Sequence, residues 1–494
     1  MKWFSKRKEQ ENKTAKAYIV AAALVAMLLS FLIGMQQSVW FDEAYSILVA
    51  KQSPAEIVRL ASVDTHPPAY YLMLHGWGSV FGWSEAALRS LSVLAYGGAV
   101  LLAGLLVRKL FGNRAAVYTV IVAALSPLLI RYGFEIRMYA VASLIGVVAT
   151  YLMVKAREGG KNAIWLWSGY AVAVALGLMT LYYLAFLWVA HFVWLAYADR
   201  KNIKQPVKLK WLWAYVGAAL LFLPWLPKFL AQVNNGALAN IGQPMNLEQI
   251  LGIISFNSLY KPLWQVGILE TLVMFAVVGW LIWAYIKAYR DKKIRQNLLL
   301  LTAYIAMPII ILMVVSLMRP MYVERYLSHV AIGLMMLVGV LLSRTTEKQK
   351  PRQQYVVGFI ATVILLVGVV NLARVGNFNF QRMQKPDISS AMSEVNCDDA
   401  SVVAADPYVA TELSYYLEPS CELRFYSEWQ SMGGGYAPFS DSPMRIAETD
   451  VPVLEGKLYY VYYDEPKLTI PDHYIKSNSG THGGLTVDQY EAIR

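Results

Sequence analysis

Long apolar runs without polar alternation recur along most of the chain. A transmembrane α-helix needs about 20 mostly apolar residues, and eleven runs approach or reach that length. They lie near residues 17–39, 87–106, 115–130, 138–154, 163–180, 181–198, 211–230, 265–286, 298–317, 326–343 and 355–373. We divide the continuous run 163–198 near Thr180, because one helix of that length would overshoot the ~30 Å hydrocarbon core. The pattern predicts an α-helical polytopic membrane protein with about eleven transmembrane helices.

The last part of the chain follows a different pattern, in which short β-like runs surround one helical stretch. The β-like runs are Ser401–Ala405, Glu422–Tyr426 and Leu458–Tyr463, and the helical stretch is Pro407–Leu417. Such alternation is typical of a small α/β domain. We therefore expect two domains. Residues 1–373 form a transmembrane domain whose first outer loop is 40–86, and residues 374–494 form a soluble α/β domain.

The amino-acid composition indicates that the apolar runs are surrounded by lipid. The chain is 57% hydrophobic and 16% charged, with a mean hydropathy of +0.42, whereas soluble proteins carry about 25% charged residues. Residues 1–373 hold 35 Lys and Arg against 15 Asp and Glu, and the remainder holds 9 against 18. The basic part does not indicate a nucleic-acid partner, because positive loops also determine membrane topology.

The distribution of positive charge predicts the orientation. With the N-terminus in the cytoplasm, the predicted cytoplasmic segments contain 26 of those 35 basic residues, as the positive-inside rule requires. The basic start MKWFSKRKEQENKTAK precedes an apolar run without a small-residue cleavage site, so we expect no cleaved signal peptide. We predict a multi-pass protein of the plasma (inner) membrane, with a cytoplasmic N-terminus and an extracytoplasmic C-terminal domain.

Two cysteines, Cys397 and Cys421, both lie in the C-terminal domain. In an oxidising compartment they would form a disulfide, which contributes roughly 3 kcal/mol for a loop of this length. The alternative is a pair of buried free thiols.

The first outer loop carries adjacent acids, Asp42 and Glu43, just after the first membrane helix. Acids beside hydrocarbon are costly unless they are paired or functional, and a carboxylate can act as a general base. Asp42 could equally be the N-cap of an interfacial helix. His66 lies in the same loop. It could be a base, a metal ligand, a hydrogen-bonding pivot or a structural residue. These three side chains could ligate a divalent metal ion, although their spacing does not demand one.

Arginines mark three further outer positions. Arg89 follows Glu85 at the mouth of the second helix, and the segments 131–139 and 319–326 each place arginine and tyrosine beside a helix start. Arginine forks bind phosphate through two parallel hydrogen bonds. The structural alternatives are an exposed ion pair between Glu85 and Arg89 and arginines that snorkel to the interface.

Together these motifs resemble the GT-C membrane glycosyltransferases, in the branch of the protein O-mannosyltransferases and the lipid A aminoarabinose transferase. The resemblance covers roughly residues 17–373. Its motifs are Trp40-Phe41-Asp42-Glu43-Ala44, His66-Pro67-Pro68-Ala69-Tyr70-Tyr71, Leu88-Arg89-Ser90, Glu135-Ile136-Arg137-Met138-Tyr139 and Arg325-Tyr326.

The resemblance implies an inverting transfer of sugar from a polyprenyl phosphate to a lipid, protein or glycan acceptor outside the cytoplasm. It identifies Asp42 as the catalytic base, with Glu43 as its neighbour. The substrate-binding residues implied by the matched motifs are His66, Arg89, Glu135, Arg137, Tyr139, Arg325 and Tyr326. Among these, Arg89, Arg137 and Arg325 are the candidates for contact with the lipid phosphate.

Two other classes remain open from the residues alone. A transporter or flippase of lipid-linked saccharides would place its ionisable residues near the membrane midplane, whereas here they cluster at the outer helix ends. A non-catalytic protein of cell-envelope assembly would not need the acid pair together with arginine-bearing loops.

Overall fold

A computed structural model describes the fold. It covers residues 2–201, 209–234, 242, 244–347, 351–375, 387–398, 400–418, 420–428, 436, 445–446 and 456–493. The α-helices in chain order are α1 (Lys2–Gly34), α2 (Phe41–Ala50), α3 (Pro54–Val63), α4 (Ala69–Phe81), α5 (Glu85–Phe111), α6 (Asn113–Ala124), α7 (Pro127–Phe134), α8 (Tyr139–Arg157), α9 (Ala163–Leu178), α10 (Leu184–Ala198), α11 (Lys210–Phe222), α12 (Leu226–Asn234), α13 (Leu247–Ser258), α14 (Ile268–Tyr289), α15 (Arg295–Ser316), α16 (Ser328–Thr346), α17 (Pro351–Val375), α18 (Ile388–Ser393) and α19 (Pro407–Tyr416).

Each predicted apolar run coincides with a helix or with a bent pair of helices. Among the described residues, seven helices are long and apolar enough to cross a membrane, or nine if α6 with α7 and α11 with α12 are each one bent span. The two remaining runs form the shorter apolar helices α9 and α10. Their boundary falls where the sequence predicts it, because α9 ends at Leu178 and α10 begins at Leu184. The helical polytopic fold is thus confirmed.

The chain divides into two compact units. The helical unit comprises Met1–Leu32 and Arg89–Arg374, and the α/β unit comprises Ile33–Leu88 and Val375–Arg494. The segment 40–86 therefore belongs to the same compact unit as the C-terminal residues. The predicted boundary between domains at 373 and 374 stays a prediction.

In the helical unit, α16 is the most enclosed of the long helices. Small residues allow its close packing, as is usual between membrane helices. A Cβ atom at Gly339 would collide with the main chain of Thr119 on α6, and one at Gly333 would collide with the ring of Tyr304 on α15. A larger residue at either position would therefore push the neighbouring helix away.

A buried polar network joins four other helices of this unit. The ring nitrogens of His191 on α10 lie 3.0 Å from Thr150 Oγ1 on α8 and 3.2 Å from the Tyr170 hydroxyl on α9. The Tyr170 hydroxyl also donates to Tyr215 on α11 at 2.9 Å. Hydrogen bonds between polar side chains contribute to the packing of helices in lipid, where water cannot replace them.

The α/β unit contains a six-stranded sheet with the order β3-β2-β1-β4-β6-β5. Its strands are β1 (Ala400–Ala404), β2 (Glu422–Tyr426), β3 (Arg445–Ile446), β4 (Lys457–Tyr463), β5 (Tyr474–His482) and β6 (Leu485–Ala492). The strands β3, β2, β1 and β4 are parallel, and β6 pairs antiparallel with β4 and β5. The predicted strands and helix of the C-terminal region are thus present.

Alternating side chains of the central strands build two small cores. Val402 and Ala404 of β1 face α18 and α19, whereas Val403 packs on the opposite face with Tyr460 and Tyr462 of β4. This alternation follows from the two-residue period of a strand. The disulfide between Cys397 and Cys421 joins the segments that lead into β1 and β2, so the predicted pairing is confirmed.

Candidate active site

The acid pair of the first loop lies at the start of α2. This helix begins at Phe41, its N-cap is Trp40, and Asp42 and Glu43 occupy the first turn. The interpretation of Asp42 as the N-cap is therefore wrong. Asp42 is 9% exposed and Glu43 is fully buried, so both carboxylates are largely removed from water. The positive end of the helix dipole favours negative charge at these positions.

Residues of the C-terminal sheet domain surround the start of this helix. The ring of Phe41 stacks on Tyr408 of α19, with centroids 4.5 Å apart and planes 3° from parallel. The ring of Tyr436 lies 5.5 Å from that of Phe41. Burial raises the pKa of the Tyr436 hydroxyl to about 12, and the charges of Asp406, Asp42 and Glu412 act in the same direction. This tyrosine stays protonated at physiological pH beside several carboxylates.

His66 belongs to a hydrogen-bonded group within the first loop. Its Nδ1 atom lies 2.8 Å from Thr65 Oγ1 and 3.7 Å from the Asp64 carboxylate. The Asp64 carboxylate also accepts hydrogen bonds from the Thr65 amide, at Oδ1, and from the Tyr71 hydroxyl, at Oδ2. The arrangement fixes the orientation of the buried imidazole.

The first-loop residues do not assemble as a metal-ligand set. Across the described ranges, no three His, Cys, Asp or Glu side chains come together in a way that could hold a metal ion. Asp42, Glu43 and His66 therefore do not fit a shared divalent ion in this arrangement.

The segment 131–139 contains a buried ion pair in the helical unit. Arg131 on α7 forms a two-pronged contact with Glu135, at 3.1 Å from Nη1 to Oε2 and 3.3 Å from Nη2 to Oε1. Both side chains are almost completely buried. Arg131 is therefore not a snorkelling residue, and its charge is compensated within the protein.

Three arginine-bearing segments meet around the turn that follows this pair. Ser92, one helical turn after Arg89 on α5, donates to the carbonyl of Glu135 at 2.6 Å. Ser328, which follows the short 3-10 helix Glu324–Leu327, donates to the carbonyl of Tyr139 at 3.2 Å. These bonds bring the main chain near Arg89, Arg137 and Arg325 to one region of the helical unit.

We call the segments 89–92, 131–139 and 324–328 the arginine cluster. These segments contain four arginines and two glutamates. Arg89 and Arg137 are buried and Arg325 is partly exposed. Guanidinium geometry suits phosphate, so a cluster of arginines is a candidate site for a phosphate group.

Tyrosines complete the arginine cluster. The ring of Tyr139 lies 5.2 Å from that of Tyr132 and 6.2 Å from that of Tyr326. The Tyr132 hydroxyl donates to Glu324 at 3.2 Å. The predicted site residues Glu135, Arg137, Tyr139, Arg325 and Tyr326 thus belong to one packed region of the helical unit.

Several residues of these two regions are not evident from the sequence. Tyr260, after α13, adopts a positive φ of 52°, and its hydroxyl is near Arg131, Glu135 and Glu324. Burial raises its pKa to about 12. Glu412 and Tyr416 of α19 contact the start of α2. The sequence contains one signal for Glu412, which is a glutamate in the largely apolar stretch of α19. Glutamate is seldom buried without a partner, so its presence there indicates a polar contact.

Substitution of Glu135 by Gln is expected to destabilise the protein substantially. It would leave the Arg131 charge buried without its counterion, a change that costs roughly 3–5 kcal/mol. Thermal inactivation in detergent measures the effect. Glu347→Gln is the control, because it removes one member of an exposed pair with Arg344 at 3.5 Å, which contributes about 0–1 kcal/mol. The double substitution Arg131→Met with Glu135→Leu should recover much of the loss. A Glu135→Gln protein as resistant as the wild type would contradict this account.

Comparisons with known proteins agree with the motif resemblance. The family model for dolichyl-phosphate-mannose-protein mannosyltransferase matches residues 65–227. No curated protein sequence matches the chain. Among solved structures, ArnT from Cupriavidus metallidurans bound to undecaprenyl phosphate matches with a TM-score of 0.63 at 12% identity, covering 96% of this chain and 98% of that one. The apo form of ArnT matches with a TM-score of 0.60 over the same shares of both chains.

A second similar structure comes from a different enzyme. Oligosaccharyltransferase AglB from Archaeoglobus fulgidus, in complex with an inhibitory peptide and a dolichol-phosphate, matches with a TM-score of 0.50 at 13% identity, over 90% of this chain and 69% of that one. At such identities the likeness establishes the fold. The chain therefore has the GT-C fold of membrane glycosyltransferases, and the resemblance inferred from its motifs is confirmed.

Proposed function

We propose that this chain, which has the GT-C fold, transfers a sugar from a polyprenyl-phosphate-linked donor to an acceptor hydroxyl on the extracytoplasmic face of the membrane. The observation that carries the proposal is the arginine cluster, where hydrogen bonds bring the segments of Arg89, Arg137 and Arg325 to one region at the ends of membrane helices. Guanidinium groups bind phosphate through two parallel hydrogen bonds, and a polyprenyl phosphate presents its phosphate at the membrane interface.

The donor class is supported by the ligands of proteins with this fold. ArnT was solved with undecaprenyl phosphate and AglB with a dolichol-phosphate, and both ligands are polyprenyl phosphates. In this chain we assign Arg89, Arg137 and Arg325 to the donor phosphate. Each arginine can donate two parallel hydrogen bonds to phosphate oxygens. These bonds strengthen as the phosphate gains charge on leaving the sugar, which lowers the barrier of the reaction.

We assign the general base to Asp42. Its carboxylate takes the proton of the acceptor hydroxyl as that oxygen forms a bond to C1 of the sugar. The bond between C1 and the phosphate oxygen breaks at the same time, and its electron pair leaves with the polyprenyl phosphate. A single displacement of this kind inverts the configuration at C1. Glu43, His66, Glu135, Tyr139 and Tyr326 contact or orient the substrates in this proposal.

A cleavage assay with reconstituted full-length protein tests the function. The probes are undecaprenyl-phosphate-linked hexoses and pentoses, radiolabelled in the sugar, with a membrane extract as the source of acceptor. We expect the label to leave the lipid fraction for at least one donor while undecaprenyl phosphate accumulates. If the intact donor instead crosses the bilayer without cleavage, as measured by its access to an impermeant oxidant, the protein is a flippase and the proposal is wrong. Neither cleavage nor translocation of any donor would indicate the non-catalytic alternative.

A further inference from the structure

The N-terminus of α2 is capped by a residue from another helix. The first amides of any helix lack partners within that helix, and Trp40 at the N-cap position forms no side-chain cap. The amide of Phe41 donates instead to Oε1 of Glu412 on α19, at 3.2 Å. Glu412 is fully buried, and its Oε2 accepts a hydrogen bond from the Tyr463 hydroxyl at 2.9 Å. A carboxylate that is far away in the sequence thus replaces the usual local cap.

A second residue of α19 restrains the segment that enters α2. The Tyr416 hydroxyl accepts the amide hydrogen of Val39 at 2.6 Å and donates to Oε1 of Glu85 at 2.7 Å. One hydroxyl therefore joins the entry of α2 to the first residue of α5. The amide of Ser389 adds a hydrogen bond to the hydroxyl of Ser38 at 3.3 Å.

These contacts act on three of the four residues just before Asp42. Ser38, Val39 and Phe41 are each bonded to the C-terminal sheet domain. The backbone position of Asp42 follows from theirs, because it is the next residue and already lies in the first helical turn.

We propose that Glu412 and Tyr416 are positioning residues that orient the carboxylate of Asp42, so that the C-terminal domain takes part in the reaction. This inference rests on the proposed function, in which Asp42 is the general base. A base must lie within hydrogen-bonding reach of the proton that it removes. A misplacement of about 1 Å can reduce a rate by about 100-fold. Loss of either restraint lets the first turn of α2 fray and misplaces the base.

Three substitutions in the full-length protein test the proposal. Tyr416→Phe removes one hydroxyl and keeps the ring. Glu412→Leu removes the hydrogen bonds that the carboxylate accepts from the Phe41 amide and the Tyr463 hydroxyl. Glu412→Gln keeps an oxygen for the Phe41 amide and serves as the conservative rescue. The matched control is Tyr415→Phe, because the Tyr415 hydroxyl comes from the same helix but donates to the carbonyl of Trp83, away from α2.

Turnover and donor KM are measured with the undecaprenyl-phosphate sugar that the wild type cleaves. We expect kcat to fall about 10- to 100-fold in Tyr416→Phe and Glu412→Leu, with donor KM changed by less than about 2-fold. Glu412→Gln should recover most of the activity, and Tyr415→Phe should match the wild type. Hydrogen exchange should quicken at residues 38–43 in the two impaired variants alone. Wild-type kcat or wild-type exchange in Tyr416→Phe would overturn the proposal.

An Asp42→Asn background separates the positioning role from general destabilisation. If Tyr416 acts through Asp42, then Tyr416→Phe causes no further loss in the residual rate of Asp42→Asn, because residues that act as a unit are non-additive. An equal loss in both backgrounds would overturn the positioning role while leaving Asp42 as the base. Full activity of Asp42→Asn itself would instead contradict the proposed function, and the positioning role with it.

Discussion

Substitution of Asp42 by Asn is expected to abolish sugar transfer while the protein still folds and reaches the membrane. Asparagine keeps the shape of the side chain but cannot accept a proton at neutral pH. General-base assistance contributes about 10²- to 10⁴-fold to a rate, so turnover should fall by about that factor. The fold should tolerate the change because asparagine has almost the same size and shape, and because the hydrogen bonds of the Phe41 amide and of the Asp42 carbonyl are kept.

The matched control for this experiment is Glu56→Gln. Glu56 lies in the first turn of α3, in the same loop, and its carboxylate contacts Arg59 at the protein surface. The control should retain wild-type turnover of the radiolabelled undecaprenyl-phosphate sugar. Near-normal turnover of Asp42→Asn would move the base elsewhere. Glu43→Gln and His66→Gln would then be the next variants to assay, since both residues lie in the first loop.

Substitution of Arg137 by Ala is expected to weaken binding of the donor phosphate by about 10- to 100-fold. A hydrogen bond to a charged group contributes about 1.5–3 kcal/mol, and about 1.4 kcal/mol corresponds to a factor of ten in affinity. Arg137→Lys should recover only part of the loss. Lysine keeps the charge but lacks the planar fork that contacts two phosphate oxygens at once.

Undecaprenyl phosphate alone is the probe for this prediction. Its affinity is measured from the rise in thermal stability of the purified protein as the lipid is titrated, because a ligand that binds only the folded state stabilises it. The control is Arg157→Gln. Arg157 ends α8, the helix that begins just after Arg137, and its guanidinium contacts Asp199 at 2.7 Å. The control removes one positive charge from the opposite end of that helix. Unchanged lipid affinity in Arg137→Ala would mean that Arg137 has a structural role only.

The donor and the acceptor of the proposed reaction are recognised through different kinds of contact. Polyprenyl phosphates share one charged group, so an arginine cluster can bind donors that carry different sugars. The acceptor contributes only a hydroxyl to the reaction, and its recognition must come from other contacts. The sheet domain is a candidate for that role as well, because its residues surround the start of α2.

Much of the fold follows from the sequence because its strongest signals are local. A helix in lipid must satisfy its own backbone and present apolar side chains over its whole length. The eleven runs could therefore be recognised without any knowledge of their neighbours. The same holds for the strands around Ser401–Ala405 and Leu458–Tyr463. The pairing of Cys397 with Cys421 follows from their being the two cysteines of the chain.

Tertiary structure decided how the candidate site is supported. The sequence alone identifies Asp42 as a candidate base, but it also allows Asp42 to be an N-cap. In the structure the first amide of α2, that of Phe41, is bonded to Glu412 and not to a local cap. Glu412 is 371 residues away from Phe41 along the chain. Hydropathy and motif spacing carry no information about partners at such a separation, because hydrogen bonds of this kind depend on how distant segments pack.

The arginines show the same difference between what the sequence indicates and what the tertiary structure determines. Their position at helix ends and their affinity for phosphate could be inferred from residue type and spacing. The sequence could not show that Glu135 is the counterion of Arg131. That pairing is a tertiary feature, because a buried charge must find a counterion and the packing of the chain determines which carboxylate is within reach.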